Sequence, residues 1–268
     1  MVIVREVECK SLLNKSAIAD YCINPYVGCQ HGCCYCYASG ITSRLRRKKE
    51  KWGEFLDVKI NAVSILSNEV KNRKIGRVYL SSLTDPYQPI EKKYELTRRI
   101  IEILMQNGFP LIIQTKSSLV IRDLDLLSKN KSNEVGVTIV TMDEKVSRDF
   151  EPFSSKPEER LEVVRLAKNS GLKAYVFFGP ILPFLSDNDV ENLLLKFKES
   201  GVDYIYIDRL NLRPMVWSMV SKVILQKYPD LYEEWRKILF SKSSYYDEVK
   251  KSVLKKSEEI GLETVFCY

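Results

Sequence analysis

Short runs of β-branched and aromatic residues alternate along the chain with longer stretches whose apolar positions recur at helical spacing. That is the βαβ pattern of a parallel sheet covered by helices. The runs predict strands over Ala19 to Val27, Arg77 to Ser82, Leu111 to Lys116, Val135 to Thr141, Lys173 to Ile181 and Tyr204 to Asn211. Between them the spacing predicts helices over Ser39 to Lys51, Val58 to Asn72, Lys93 to Asn107, Ile121 to Asn130, Pro157 to Ser170 and Asp187 to Ser200. Several helices run into Asn107-Gly108, Ser170-Gly171 or Ser200-Gly201, where glycine can take the left-handed conformation that closes a helix. Beyond Arg213-Pro214 the pattern turns wholly helical, rich in lysine and in aromatics such as Tyr228, Tyr232, Trp235, Phe240, Tyr245 and Tyr246. The expected architecture is α/β: a partial (β/α)6 TIM-type barrel over residues 1–213, with 214–268 a helical extension packed on it.

A chain of 268 residues with 45% hydrophobic content can bury a sizeable core, and one domain is the default. Its formal charge of +7 is a mild excess that favours anionic partners. No basic segment followed by an apolar run opens the chain, and no 18 apolar residues stand in a row, so a soluble, cytoplasmic protein without a membrane span is expected. The single histidine, His31, excludes a His-ligated zinc hydrolase, a Ser-His-Asp triad placed elsewhere and a Cys-His protease.

Four of seven cysteines, Cys29, Cys33, Cys34 and Cys36, fall within eight residues. In a cytosolic setting such crowding reads as metal or cluster binding before disulfides. Cys29, Cys33 and Cys36 have the spacing C-x3-C-x2-C, which lets one loop offer three thiolates to three corners of a cubane cluster. Electron-transfer clusters use four cysteines, so a three-cysteine loop leaves one iron open. Gly28 and Gly32 supply the backbone freedom such a loop needs. The competing zinc knuckle wants a second C-x2-C or a histidine pair, whereas Cys9, Cys22 and Cys267 are scattered. Cys34 is off the motif spacing and is expected to pack.

With these motifs the sequence resembles the radical S-adenosylmethionine (SAM) superfamily, and within it the spore photoproduct lyase-like, or DNA repair photolyase-type, branch. The resemblance runs from about Cys22 to Arg213. It is carried by Asn24-Pro25-Tyr26, Cys33-Cys34-Tyr35-Cys36-Tyr37-Ala38, Thr84-Asp85-Pro86-Tyr87-Gln88-Pro89-Ile90-Glu91, Thr115-Lys116-Ser117 and Arg122 to Leu127. Phe150-Glu151-Pro152 with Arg160, and Gly179-Pro180-Ile181-Leu182-Pro183, complete it. The resemblance implies a 4Fe-4S cluster on Cys29, Cys33 and Cys36 whose open iron holds the methionine part of SAM. One electron, from a donor such as flavodoxin or ferredoxin, would cleave SAM to a 5'-deoxyadenosyl radical that takes hydrogen from the substrate. It further implies Asp85 and Thr84 near the SAM ammonium, Lys116 near its carboxylate and Thr138 near the ribose or carboxylate. Glu151 and Arg160 would be an ion pair shaping the far side of the SAM pocket, and Tyr35 and Tyr37 a radical relay. One departure stands out: the lyases have a hydrogen-donating cysteine where this chain has Ser82, and a serine O–H bond is too strong for that role.

Several functions remain open on the sequence. Nucleic acid as substrate is favoured by the branch, by the charge and by the run Arg44-Leu45-Arg46-Arg47-Lys48-Lys49-Glu50-Lys51. A small molecule, peptide or lipid in a pocket of Tyr87, Tyr175, Phe177 and Phe178 is the enzymatic alternative. A non-catalytic iron-sulfur or zinc RNA-binding protein is the alternative from another class.

Overall fold

A computed structural model of the protein describes residues 2–46, 50–213 and 215–268. The strands are β1 Ile3–Val7, β2 Asn14–Lys15, β3 Tyr21–Ile23, β4 Tyr26–Val27, β5 Phe55–Lys59, β6 Val78–Leu80, β7 Leu111–Thr115, β8 Glu134–Thr138, β9 Lys173–Ile181, β10 Tyr204–Arg209 and β11 Glu263–Phe266. The larger sheet has the order β11-β10-β9-β8-β7-β6-β3-β2. From β3 to β11 all its neighbours pair parallel, and β2 adds antiparallel at the edge. Its end strands β11 and β2 do not pair with one another among the described residues, so the sheet is a partial barrel rather than a closed one. A separate three-stranded sheet, β1-β5-β4, stands beside it.

The helices are α1 Ala38–Arg46, α2 Ala62–Glu69, α3 Glu91–Tyr94, α4 Leu96–Gln106, α5 Leu124–Leu127, α6 Glu144–Phe150, α7 Pro157–Asn169, α8 Val190–Glu199, α9 Val216–Lys227, α10 Tyr232–Phe240 and α11 Tyr245–Ile260. None among the described residues is long and apolar enough to cross a membrane. Gly108, Gly171 and Gly201 take φ of +74°, +76° and +83°, the left-handed values that close their helices.

Several expectations need correction. The strand expected over Ala19 to Val27 is two, β3 and β4, in different sheets, and the helix expected over Ile121 to Asn130 is a 3-10 turn at Ser118–Asp123 followed by the single turn of α5. The helix expected from Val58 starts at Ala62, because Phe55-Leu56-Asp57-Val58-Lys59 is strand β5, paired with β1 and β4. The helix expected over Lys93 to Asn107 is broken at Glu95, whose φ of +48° separates α3 from α4. The region after Arg213 is not helices alone: Gly261, at φ +61°, ends α11 and releases Glu263–Phe266 to extend the sheet beside β10.

Alternation along β9 sorts the two faces of the sheet. Phe178 faces outward and meets Phe197 of α8 edge-on, with ring centroids 6.0 Å apart. On the opposite face Tyr175 stacks on Tyr204 at 5.2 Å, and Tyr206 meets both edge-on. Gly136 makes that possible, since a Cβ there would lie 2.1 Å from the Tyr175 ring. The inward wall is therefore aromatic, and Tyr79, Phe177 and Tyr206 on it are only partly buried.

Candidate active site

The cysteine loop follows β4 and leads into α1. Gly28 opens it at φ +93°, with no room for a side chain, because a Cβ would lie 2.5 Å from the Phe55 carbonyl oxygen. Cys29, Cys33 and Cys36 line one pocket, a cavity of about 100 Å³. Among the described residues no three His, Cys, Asp or Glu side chains are close enough to hold a single metal ion. Three thiols from one short loop are the donor chemistry of iron–sulfur and zinc sites rather than of hard oxygen-bound cations. Burial pushes the Cys29 thiol up to about 12, with Asp85 and Cys36 adding to the shift. Burial raises Cys36 too, against Lys116 and the backbone N–H groups of Ala38 and Ser39 at the start of α1, which favour its thiolate. Metal binding would displace those protons.

The same pocket is lined from the C-terminal ends of β6, β7 and β8 by Thr84, Asp85, Lys116 and Thr138, with Ser81, Ser82 and Gln114. This is the end at which barrel folds place their chemistry. Asp85 is buried and well supplied by the protein: it accepts from Tyr87 N at 2.9 Å, Thr115 Oγ1 at 2.6 Å and Lys116 N at 2.8 Å. His31 Nε2 stands 3.3 Å from its other face. Burial opposes its charge, but His31 and the Thr115 hydroxyl hold its carboxyl well below the usual range. Thr84 donates its hydroxyl to the Gly28 carbonyl at 2.5 Å and so ties this wall to the cysteine loop. Thr138 accepts from Gln114 Nε2 at 3.2 Å.

Lys116 forms no ion pair within 4.0 Å among the described residues. Burial works against its charge, yet Cys33, Glu151 and Asp85 overcome it and hold the ammonium above its ordinary value. A cation thus lines the same pocket as the thiols.

Glu151, Arg160 and Tyr35 lie behind this wall rather than on it. Arg160 Nη2 pairs with Glu151 Oε2 at 2.5 Å with both side chains fully buried, so this is a core ion pair. Arg160 also donates to the carbonyls of Thr138 and Ser155, both at 2.8 Å. The Tyr35 hydroxyl donates to Glu151. Tyr37, by contrast, lines the pocket and donates its hydroxyl to the Ser82 carbonyl. Ser82 also lines it and accepts from the Cys22 thiol at 3.1 Å. Of the basic run, Arg47, Lys48 and Lys49 lie outside the described residues. Arg46 is committed to Asp57 at 2.8 Å and Glu50 at 3.0 Å.

Some residues that frame the site were given no role in it from the sequence. Gln88, fully buried, accepts from Gln30 N at 2.8 Å, while Gln30 Oε1 accepts from Ile90 N at 2.7 Å. This reciprocal clasp locks the Thr84–Ile90 segment to the cysteine loop. His31 bridges Asp85 and the Phe153 carbonyl, the latter at 2.9 Å. Trp52 lines the pocket with a buried indole N–H that has no partner among the described residues, a state that costs about 1–3 kcal/mol for a typical donor. Glutamines beside prolines and a lone tryptophan carry no sequence signal for such roles; only the fold brings them to the loop.

An uncharacterized protein of Methanocaldococcus jannaschii is 37% identical over 257 residues, 94% of this chain and 93% of that protein. A radical SAM Nα-GlyT isomerase of Pseudomonas phage M6 is 23% identical over 186 residues, 68% of this chain and 38% of that protein. Among solved structures, a spore photoproduct lyase variant with bound AdoMet and dinucleoside spore photoproduct superposes with a TM-score of 0.70. It is 20% identical, and the match covers 100% of this chain and 82% of that one, a likeness of fold. The family model of the radical SAM superfamily matches residues 23–197, which include the cysteine loop and β6 to α8: the chain belongs to the radical SAM superfamily.

Proposed function

We propose that this chain is a radical SAM enzyme that holds a 4Fe-4S cluster on Cys29, Cys33 and Cys36 and acts on nucleic acid. The observation that carries the reading is one pocket lined both by three thiols of a single loop and by Lys116, Asp85 and Thr138 from adjacent strand ends. When bound, the cluster supplies one electron that breaks a carbon–sulfur bond of SAM, leaving methionine and the 5'-deoxyadenosyl radical.

The protein's own part is placement. Lys116 attracts the SAM carboxylate as a cation with no competing ion pair. Asp85 is kept ionised by its donors and sets a negative charge beside the place of the ammonium. Thr138 and Gln114 offer a polar edge at the end of β8 and β7. Thr84 and Gln88 keep the loop fixed on the strand ends while the electron arrives from an external donor such as flavodoxin or ferredoxin.

Nucleic acid is favoured over a small molecule by the inward wall of Tyr79, Phe177 and Tyr206, a stacking surface for an unstacked base. The dinucleoside photoproduct bound by the lyase of similar fold points the same way. Ser82 at the pocket wall argues for hydrogen abstraction without the lyase's own hydrogen return. The test is to offer deuterated single- and double-stranded DNA to the reduced enzyme with SAM and follow deuterium into 5'-deoxyadenosine. Transfer from DNA supports the reading; radical formation with no transfer from any nucleic acid favours a small molecule, peptide or lipid.

A further inference from the structure

Trp52 is only 8% exposed, and its Nε1 has no hydrogen-bond partner among the described residues. The ring lines the pocket of the thiols. It also belongs to a small apolar cluster with Cys29, Ala38 and Phe55, against which Cys36 and Leu83 lie. Phe55 meets the ring edge-on at 6.3 Å and supports it from behind. An indole N–H can only donate, and buried tryptophans normally find an acceptor. Trp235 in the same protein does so, donating to the Pro183 carbonyl at 3.0 Å.

The groups that share this wall with Trp52 offer no strong acceptor while the cysteines are protonated, because a thiol sulfur accepts weakly. Thiolates bound to iron, and the sulfides of a cluster, are anionic acceptors that would arrive at the same wall. We infer that the Trp52 N–H donates a hydrogen bond to the sulfur of the 4Fe-4S cluster on its Cys29 and Cys36 side, and that this donor raises the cluster's reduction potential. The inference rests on the cluster assignment proposed above. Reduction adds negative charge to the iron–sulfur unit, so a donor stabilises the reduced state more than the oxidised one. Ala38, Phe55 and Leu83 keep that wall apolar, where water dilutes the interaction least.

The test uses the full chain, reconstituted anaerobically as wild type, Trp52→Phe and Phe55→Leu, with iron content and the midpoint potential followed by EPR. Phe55→Leu loosens the same wall without deleting a donor. The expected result is equal iron loading, with the ratio of reduced to oxidised cluster in Trp52→Phe about tenfold lower at a fixed potential. That is about 59 mV for a one-electron couple. Phe55→Leu should stay near wild type. Equal potentials in wild type and Trp52→Phe overturn the inference, as does an equal drop in both variants. A second measurement needs no variant: wild type labelled with 15N-indole tryptophan should show nitrogen coupling to the reduced cluster in pulsed EPR, and its absence also overturns the inference. A wild type that takes up no cluster instead defeats the parent assignment, so the two failures are told apart by iron content.

Discussion

Arg160→Met isolates the buried ion pair behind the site. The substitution keeps a long apolar stem but removes the cation 2.5 Å from Glu151, at a place where neither side chain is exposed. Breaking such a pair strands the surviving charge and costs about 3–5 kcal/mol. In wild type, burial would raise the Glu151 carboxyl, but Arg160 and then Lys116 hold it below its ordinary value. Its stabilising contribution is therefore present above the unfolded carboxylate pKa of about 4.3 and is lost as pH falls through the lower folded value. In the variant the sign reverses. Burial raises Glu151 in the folded state, so the folded protein takes up a proton first as pH falls, and the penalty shrinks. For 268 residues at about 2.1 cal/mol/K per residue, 1 kcal/mol moves Tm by about 2 °C, giving a drop of roughly 5–9 °C near neutral pH. Thermal melts of the cluster-free protein followed by circular dichroism at about pH 7.5 and about pH 5 should show the larger deficit at the higher pH. A variant within about 2 °C of wild type at both, or an equal deficit at both, refutes the reasoning.

Lys116→Met should weaken SAM binding to the cluster-loaded protein by roughly tenfold or more, the loss of one charge-assisted contact, read by calorimetry. Unchanged affinity would remove Lys116 from the SAM site. Gly28→Ala forces a side chain onto the Phe55 carbonyl at a φ of +93°, and iron uptake on reconstitution should fall sharply; wild-type loading would contradict the loop geometry. Cys34 sits in the main core, its N–H bonded to the Phe150 carbonyl at 3.0 Å, so Cys34→Ala should load as much iron as wild type. A loss of iron would make Cys34 a ligand.

The sequence shows the parts of this protein whose chemistry is local. β9 falls on Lys173–Ile181 as the apolar run predicts, and C-x3-C-x2-C names three thiols that the fold then gathers. The strand ends were legible as well, which put Thr84, Asp85, Lys116 and Thr138 on one pocket. Illegible were the features set by tertiary partners. β5 hides as the start of a helix because Phe55, Leu56 and Val58 are buried by pairing with β1 and β4, not by periodicity. β11 is four residues after a long lysine-rich helix, and its place is fixed only by β10. Glu151 and Arg160 suit a pocket rim or a surface pair equally well in one dimension; the turn after α6 and the first turns of α7 bury both.

Anaerobic reconstitution with iron and sulfide, followed by dithionite and SAM, tests the central claim most directly, with 5'-deoxyadenosine measured for wild type and Cys33→Ala. The account predicts deoxyadenosine from the cluster-loaded wild type and none from Cys33→Ala. A wild type of verified cluster content that leaves SAM intact would contradict it and favour an iron-sulfur binding protein.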